Sequence, residues 1–221
     1  MDVTPVTSAP ARSRLQTRSR LLDSATKLFA ERGLHGVTSH EIARAAGVAS
    51  GTFYLHFRDK TDVYRHIVFH AIEDLVRSVQ QAVGAATGNV LRQRARAEAI
   101  VTFAEANRDV IRILFSTDSE AASVEADALT SLATGLEARL RREREEGLFP
   151  ADLDPVVCAR AHVGMTAHLI DWWTQDPSRA SRDDVIETLV RLQFLGTGAA
   201  RQELKQEPKQ DSRQDLKVEQ S

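Results

Sequence analysis

Two groups of side chains in this chain have types and spacings that could do chemistry. The first is Thr38, Ser39, Ser50, Thr52, Tyr54, His56 and Lys60, crowded into the 23 residues TSHEIARAAGVASGTFYLHFRDK. Hydroxyls and an ammonium group hydrogen-bond to phosphate oxygens, and such contacts hold a protein in register on a nucleic-acid backbone. Gly51, among them, removes a side chain where a groove wall would press. The second group is His66 and His70, four apart, with Glu73 three further on, and Cys158 with His162 at the same spacing. Residues four apart share one face of a helix and can share a metal. If the two helices faced each other, four soft ligands would meet in the core. The competing reading is polar lining of a pocket or exposure on a half-buried face, and no metal or other cofactor is expected. His168 stands alone.

The elements that position the first group can be read from local rules. Thr38 followed by Glu41 has the capping-box spacing, in which hydroxyl and carboxylate each satisfy the other residue's amide. Ile42, Ala43 and Ala46 give the helix that follows a narrow apolar face. Gly47 breaks it, and a second short helix begins near Ser50 or Gly51. Small Ala43 lets the two helices approach, and Phe53 plugs the space between them. This is a helix-turn-helix plan, whose second helix enters the major groove of DNA. The alternative is an ordinary helical corner with a polar outer face.

Over residues 15 to 65 the chain resembles the TetR family of bacterial transcriptional regulators. The resemblance rests on Leu21, Leu22, Ala25, Leu28, Phe29, Gly33, Thr38, Ile42, Ala43, Gly47, Val48, Gly51, Thr52, Phe53, Tyr54, His56, Phe57 and Lys60. One departure is Ala49, where many relatives carry Ser as the N-cap of the recognition helix. Either Ser50 takes over or the cap is lost, at a cost of about 1 kcal/mol.

Composition fits. At 221 residues and 24.5 kDa, with 42% apolar residues, the chain can hold one medium domain or a small domain and a larger one. A single cysteine, Cys158, leaves no intrachain disulfide and suits a cytoplasmic location. The first residues, MDVTPVTSAPARSR, carry no apolar signal core, and no apolar run approaches a membrane span. The net charge is −2, yet residues 1–60 carry nine basic against five acidic side chains, +4, so the remainder sums to −6. The basic third is the third with the helix-turn-helix, as an electrostatic footprint on DNA requires.

The chain therefore reads as all-α with about nine helices: a flexible arm over 1–14, a three-helix DNA-binding head over 15–60, a helical ligand-binding and dimerisation body over 61–200, and a disordered tail over 201–221. Leu21, Leu22, Ala25, Leu28 and Phe29 make the inner stripe of the first helix. Residues 60–83 predict a long helix from the head into the body; in the family this helix carries the signal. Helices are expected over 90–107 (with Leu91, Ala95, Ala99 and Phe103 inward), 109–115, 124–146, 156–174 and 183–197. Leu129, Leu132, Leu136 and Leu140 face inward in the third of these stretches. Its other side, with Arg139, Arg141, Arg142, Glu137 and Glu143, reads as a solvated face with i,i+4 pairing. Phe103, Asn107, Arg112, Phe115, Met165 and Trp172 could line a cavity for a small hydrophobic or amphipathic effector. The last two helices are apolar on more than one stripe, so a partner is expected; the resemblance implies a homodimer through them. The function implied is a ligand-released repressor on a palindromic operator, not an enzyme. A metal-dependent enzyme or sensor and a ligand-independent architectural or division protein are the alternatives.

Overall fold

A computed structural model describes residues 9–115 and 119–197, with side chains over 12–115 and 119–192. The tail over 201–221, most of the arm and the side chains of Phe194 and Leu195 lie outside the described residues. Among the described residues there are nine α-helices and one 3-10 turn, with no strand.

Helix α1 spans Ala9–Arg32 and starts earlier than the apolar periodicity does. Pro10 sits in its first turn, where a missing N–H costs nothing. Leu21, Ala25 and Phe29 on its inner stripe are fully buried against α2 (Ser39–Ala45), α3 (Ser50–Tyr54) and the start of α4 (Lys60–Ala85). Asp59 caps α4 by accepting from the Asp62 amide at 2.8 Å. The 26 residues of α4 run about 39 Å at 1.5 Å per residue. Val63, Tyr64, Ile67, Val68 and Ile72 along its first half are buried.

The body adds α5 (Asn89–Ala106), α6 (Arg108–Leu114), α7 (Ala122–Glu145), α8 (Pro155–Gln175) and α9 (Arg182–Thr197). Helix α4 packs on α5 and α7, α7 on α8, and α5 on α9. Asp154 caps α8 through the amides of Val156 and Val157, with Pro155 in the first turn. On α5 the fully buried residues are Ala97, Val101 and Ala104, whereas Leu91, expected inward, is 54% exposed. The helix lies between α4 and α9, so it buries its smallest side chains where two neighbours converge.

Head and body share one apolar core. Phe29 and Tyr64 meet edge to face at 5.5 Å, and the buried Tyr64 hydroxyl donates to the Ile113 carbonyl of α6 at 2.5 Å. The same core runs on through Leu114, Val124 and Ala128.

Candidate DNA-reading head and ligand cavity

In the head, the capping box forms. The Glu41 amide donates to the Thr38 hydroxyl at 3.2 Å, and the Thr38 amide donates to the Glu41 carboxylate at 2.9 Å. The Thr38 hydroxyl also donates to Glu41, and Arg32 pairs with it at 2.9 Å. These bonds, the hydroxyl's first, hold the Glu41 carboxyl down to about 2. Gly47 takes φ +66, the left-handed turn that lets α3 follow within four residues. Arg20 of α1 fixes that turn, donating to the carbonyls of Ala46 and Gly47. Gly36 allows a second close approach, since a Cβ there would meet the Arg32 carbonyl at 2.4 Å. In the sequence Arg20 counted only as charge, because nothing local marks a side chain that closes a turn 26 residues away.

Helix α3 starts at Ala49 with no side-chain cap. Ser50 does not supply one: its hydroxyl meets His40 Nδ1 of α2 at 2.5 Å and ties the two helices together. Gly51 faces open space, and Tyr54 and Leu55 project from α3 at 62% and 72% exposure. Leu55 was not singled out from the sequence, although its place one residue past Tyr54 puts it on the same outer surface. Ser39 and Thr52 are half-buried at the edge of this surface. His56 is half-buried too, and burial, then Arg14 and Arg18, lower its pKa, which favours the neutral ring. Lys60 turns toward the body: its ammonium donates to the Leu34 carbonyl at 2.9 Å and pairs with Glu120 at 2.9 Å.

In the body, a cavity of about 620 Å3 lies among α4, α5, α6, α7 and α8. Its wall is mainly apolar: Ile72, Leu75, Val79 and Val83 from α4, Ile100 and Phe103 from α5, Ile111, Leu114 and Phe115 at α6, Leu129, Leu132 and Leu136 from α7, and Val163 and Ile170 from α8. Beyond Ile72 the inner face of α4 is only half-buried because it borders this space. The polar lining includes Arg92, Arg96, Arg139, Arg142 and His162, with no acidic residue. Burial, then the Arg139 charge, lowers the Arg96 guanidinium to about 10. Burial, then Arg139 and Arg96, lowers His162 to about 4, so its ring is neutral at pH 7. The Thr166 hydroxyl is buried on this wall with no hydrogen-bond partner.

Of the residues proposed from sequence to touch a ligand, Phe103 and Phe115 line this cavity. Asn107 lies at the α5–α6 junction, donating to the Phe103 carbonyl at 2.8 Å. Met165 and Trp172 lie on the outer face of α8. Arg112 lines a separate open cleft of about 640 Å3 between α1, α6 and α8, together with Arg32, Arg108 and Asp171. Arg139 was read as solvated, yet it is half-buried at the cavity; its pairing with Glu143 at 2.9 Å follows the expected i,i+4 pattern.

The His and Cys pairs do not converge. His66 meets the Asp62 carbonyl at 2.8 Å, and His70 pairs with Asp74 at 3.1 Å on the outside of α4. Burial and Asp154 raise the Cys158 thiol, which disfavours the thiolate a metal needs. Among the described residues no three His, Cys, Asp or Glu side chains group as metal ligands. No helix among them is long and apolar enough to cross a membrane.

Comparison with known proteins agrees with this architecture. The family described as "Bacterial regulatory proteins, tetR family" matches residues 21–67. The HTH-type transcriptional activator FasR of Mycolicibacterium smegmatis is 32% identical over 197 residues, covering 83% of this chain and 84% of its own. In structure the chain is similar to the fatty acid degradation regulator FadR of Bacillus halodurans, with a TM-score of 0.71, 20% identity and coverage of 91% of this chain and 99% of that one. It is similar also to FadR of Bacillus subtilis, solved with stearoyl-CoA, with a TM-score of 0.67, 17% identity and coverage of 80% and 98%. A three-helix reading head on an all-α body with an internal cavity is the build of a one-component transcriptional regulator. The chain belongs to the TetR family of bacterial transcriptional regulators, which are DNA-binding proteins and not enzymes.

Proposed function

We propose that the protein binds a palindromic operator as a homodimer and that an amphipathic acyl compound in the body cavity sets its affinity for that operator. The observation that carries this reading is α4, one unbroken helix whose first turn abuts the reading head and whose later turns wall the cavity. A ligand that favours one tilt of α4 changes the separation of two paired heads, which must match half-sites about 34 Å apart. A differential affinity of a few kcal/mol is enough to move such an equilibrium. The bound stearoyl-CoA in the FadR relative and the apolar wall here support an acyl effector.

Pairing is supported by α8. Val157, Ala161, Met165 and Trp172 make an exposed apolar row on it, with Val157 67% and Met165 40% exposed, which a second copy would cover. In this reading Tyr54, Thr38 and Lys60 position phosphates, with Ser39 and His56 beside them, and Ser50, Gly51 and Thr52 lie nearest the base edges. Release of a repressor is the form proposed. FasR carries the name of an activator, and one bound dimer serves either way according to where its operator lies relative to the promoter.

The test begins with an operator selected from random duplexes and fluorescence anisotropy with and without a long-chain acyl-CoA. A palindromic site, a dimer by light scattering and a ligand-dependent affinity are expected. Tyr54→Ala should lower operator affinity by roughly a hundredfold with only a small change in melting temperature, because the exposed ring gives up no more of the core than its edge contact with Phe53. A strictly monomeric protein, or unchanged affinity in Tyr54→Ala, contradicts the reading.

A further inference from the structure

The cavity has two unlike ends. Arg92 and Arg96 lie in the first half of α5 and Arg139 and Arg142 near the end of α7, where the last turns of α4 also border the space. This is the end remote from the head. At the near end stand Ile111, Leu114 and Phe115, on and beside the short helix whose Ile113 carbonyl holds Tyr64. The remote end carries four guanidiniums and no acid among its lining. Arg139 has a carboxylate partner in Glu143. Arg96 forms no ion pair among the described residues; its hydrogen bond goes to the neutral amide of Gln93. A half-buried guanidinium without an ion-pair partner favours the arrival of an anion. Thr166, one turn along α8 from His162, points the same way: its buried hydroxyl lacks a partner that a ligand oxygen can supply.

Building on the proposed acyl effector, we infer that Arg96 and Arg139, with His162 and Thr166 beside them, form the subsite for the anionic end of a single-chain acyl ligand whose tail points toward α6 and the head. Arg96 anchors and Arg139 is shared between Glu143 and the ligand. Neutral His162 donates or accepts one hydrogen bond, and the more exposed Arg92 and Arg142 form the rim. A tail long enough to reach Leu114 and Phe115 presses on the helix that grips Tyr64, so the same geometry makes chain length the quantity that α4 senses. The anionic end is either a free carboxylate or the phosphates of a coenzyme A thioester.

Calorimetric titration of the full-length protein with decanoate, decanoyl-CoA and decanol tests this, since the three share one tail. At least one anionic probe should bind roughly tenfold or more tighter than decanol, as charged hydrogen bonds allow. Arg96→Met and Arg139→Gln should each remove about tenfold from that probe and leave decanol within about twofold. Arg96→Met should melt no lower than the parent, because it removes a half-buried charge that has no ion-pair partner and keeps the stem's packing. Tighter binding of decanoate assigns the carboxylate. Tighter binding of decanoyl-CoA with a margin that vanishes in Arg142→Gln assigns the phosphates at the rim. Decanol binding as tightly as both anions, or equal losses for all three probes in the variants, overturns the subsite while leaving an apolar effector in place. Silence from all three, with operator affinity also unmoved, overturns the parent reading and the subsite with it.

Discussion

In the reading head, side chains that act together are close in sequence; in the cavity they come from five helices spread over some hundred residues. Thr38 and Glu41, Gly47, Ser50 and Tyr54 are placed by caps and turns, which are short-range rules. Arg96, Arg139 and His162 are placed by packing, which is not. The head can thus be conserved in form while the body changes its guest. A regulator needs this division, because the DNA backbone is the same everywhere and effectors differ.

The contrast is broken most forcefully at Phe53, which is fully buried in the core between α3 and α2. Phe53→Ala should cost about 3–5 kcal/mol, read as a shift in the denaturant midpoint. A loss under about 1 kcal/mol would mean that the short helices hold their places through hydrogen bonds such as Arg20 to Ala46 rather than through the plug.

The cavity answers to pH more strongly than the head, where burial and the Arg14 and Arg18 charges also lower His56. His162 has a pKa near 4 in the folded state against an ordinary 6.5, so the folded protein binds fewer protons than the unfolded chain in that window. Stability from this group is full above about pH 7, falls as pH drops from 6.5 toward 4, and then levels off. The loss should be up to about 3 kcal/mol, and His162→Gln should flatten that part of the curve. Arg96 and Arg139 face the ring and oppose its protonation, so Arg139→Gln should narrow the window. The Glu41 carboxyl titrates near 2, outside this range.

Tyr64→Phe sharpens the comparison at the seam. It removes the hydroxyl that donates to Ile113 and should cost about 1–2 kcal/mol. Its larger consequence is expected in coupling: effector and operator should each bind close to their normal affinity while the effect of one on the other shrinks. Normal coupling in this variant would place the signal in apolar packing between Leu114 and Ile72 instead.

How far the sequence could be read follows from the same division. Periodicity and caps mark all nine helices to within a few residues, apart from the early start of α1, where Pro10 and the polar residues after it hide a first turn. The cavity was legible only through its large apolar side chains, Phe103 and Phe115. Its charged end was hidden because Arg139 sits among residues that do pair on a solvated face, and a one-dimensional pattern does not say that one of them turns inward. Nor does sequence reveal that Lys60, spaced as a phosphate contact, meets Glu120. In the proposed reading a phosphate takes Lys60 from Glu120 or joins it there.

The smallest effect expected is at Ala49, and it tests the rule that the head is assembled locally. Helix α3 begins there with extended backbone, φ −65 and ψ 146, and no side-chain cap. The Thr52 amide already reaches the Ala49 carbonyl at 2.8 Å, so a hydroxyl at position 49 would be available to the Gly51 amide. Ala49→Ser should therefore add about 0.5–1 kcal/mol, seen as a small rise in melting temperature. No rise would mean that the bond between Ser50 and His40 already supplies what a cap provides, by fixing α3 to α2 instead of closing its own first turn. In that case His40→Ala should lower the melting temperature and Ala49→Ser should restore it, because the cap would then have work to do.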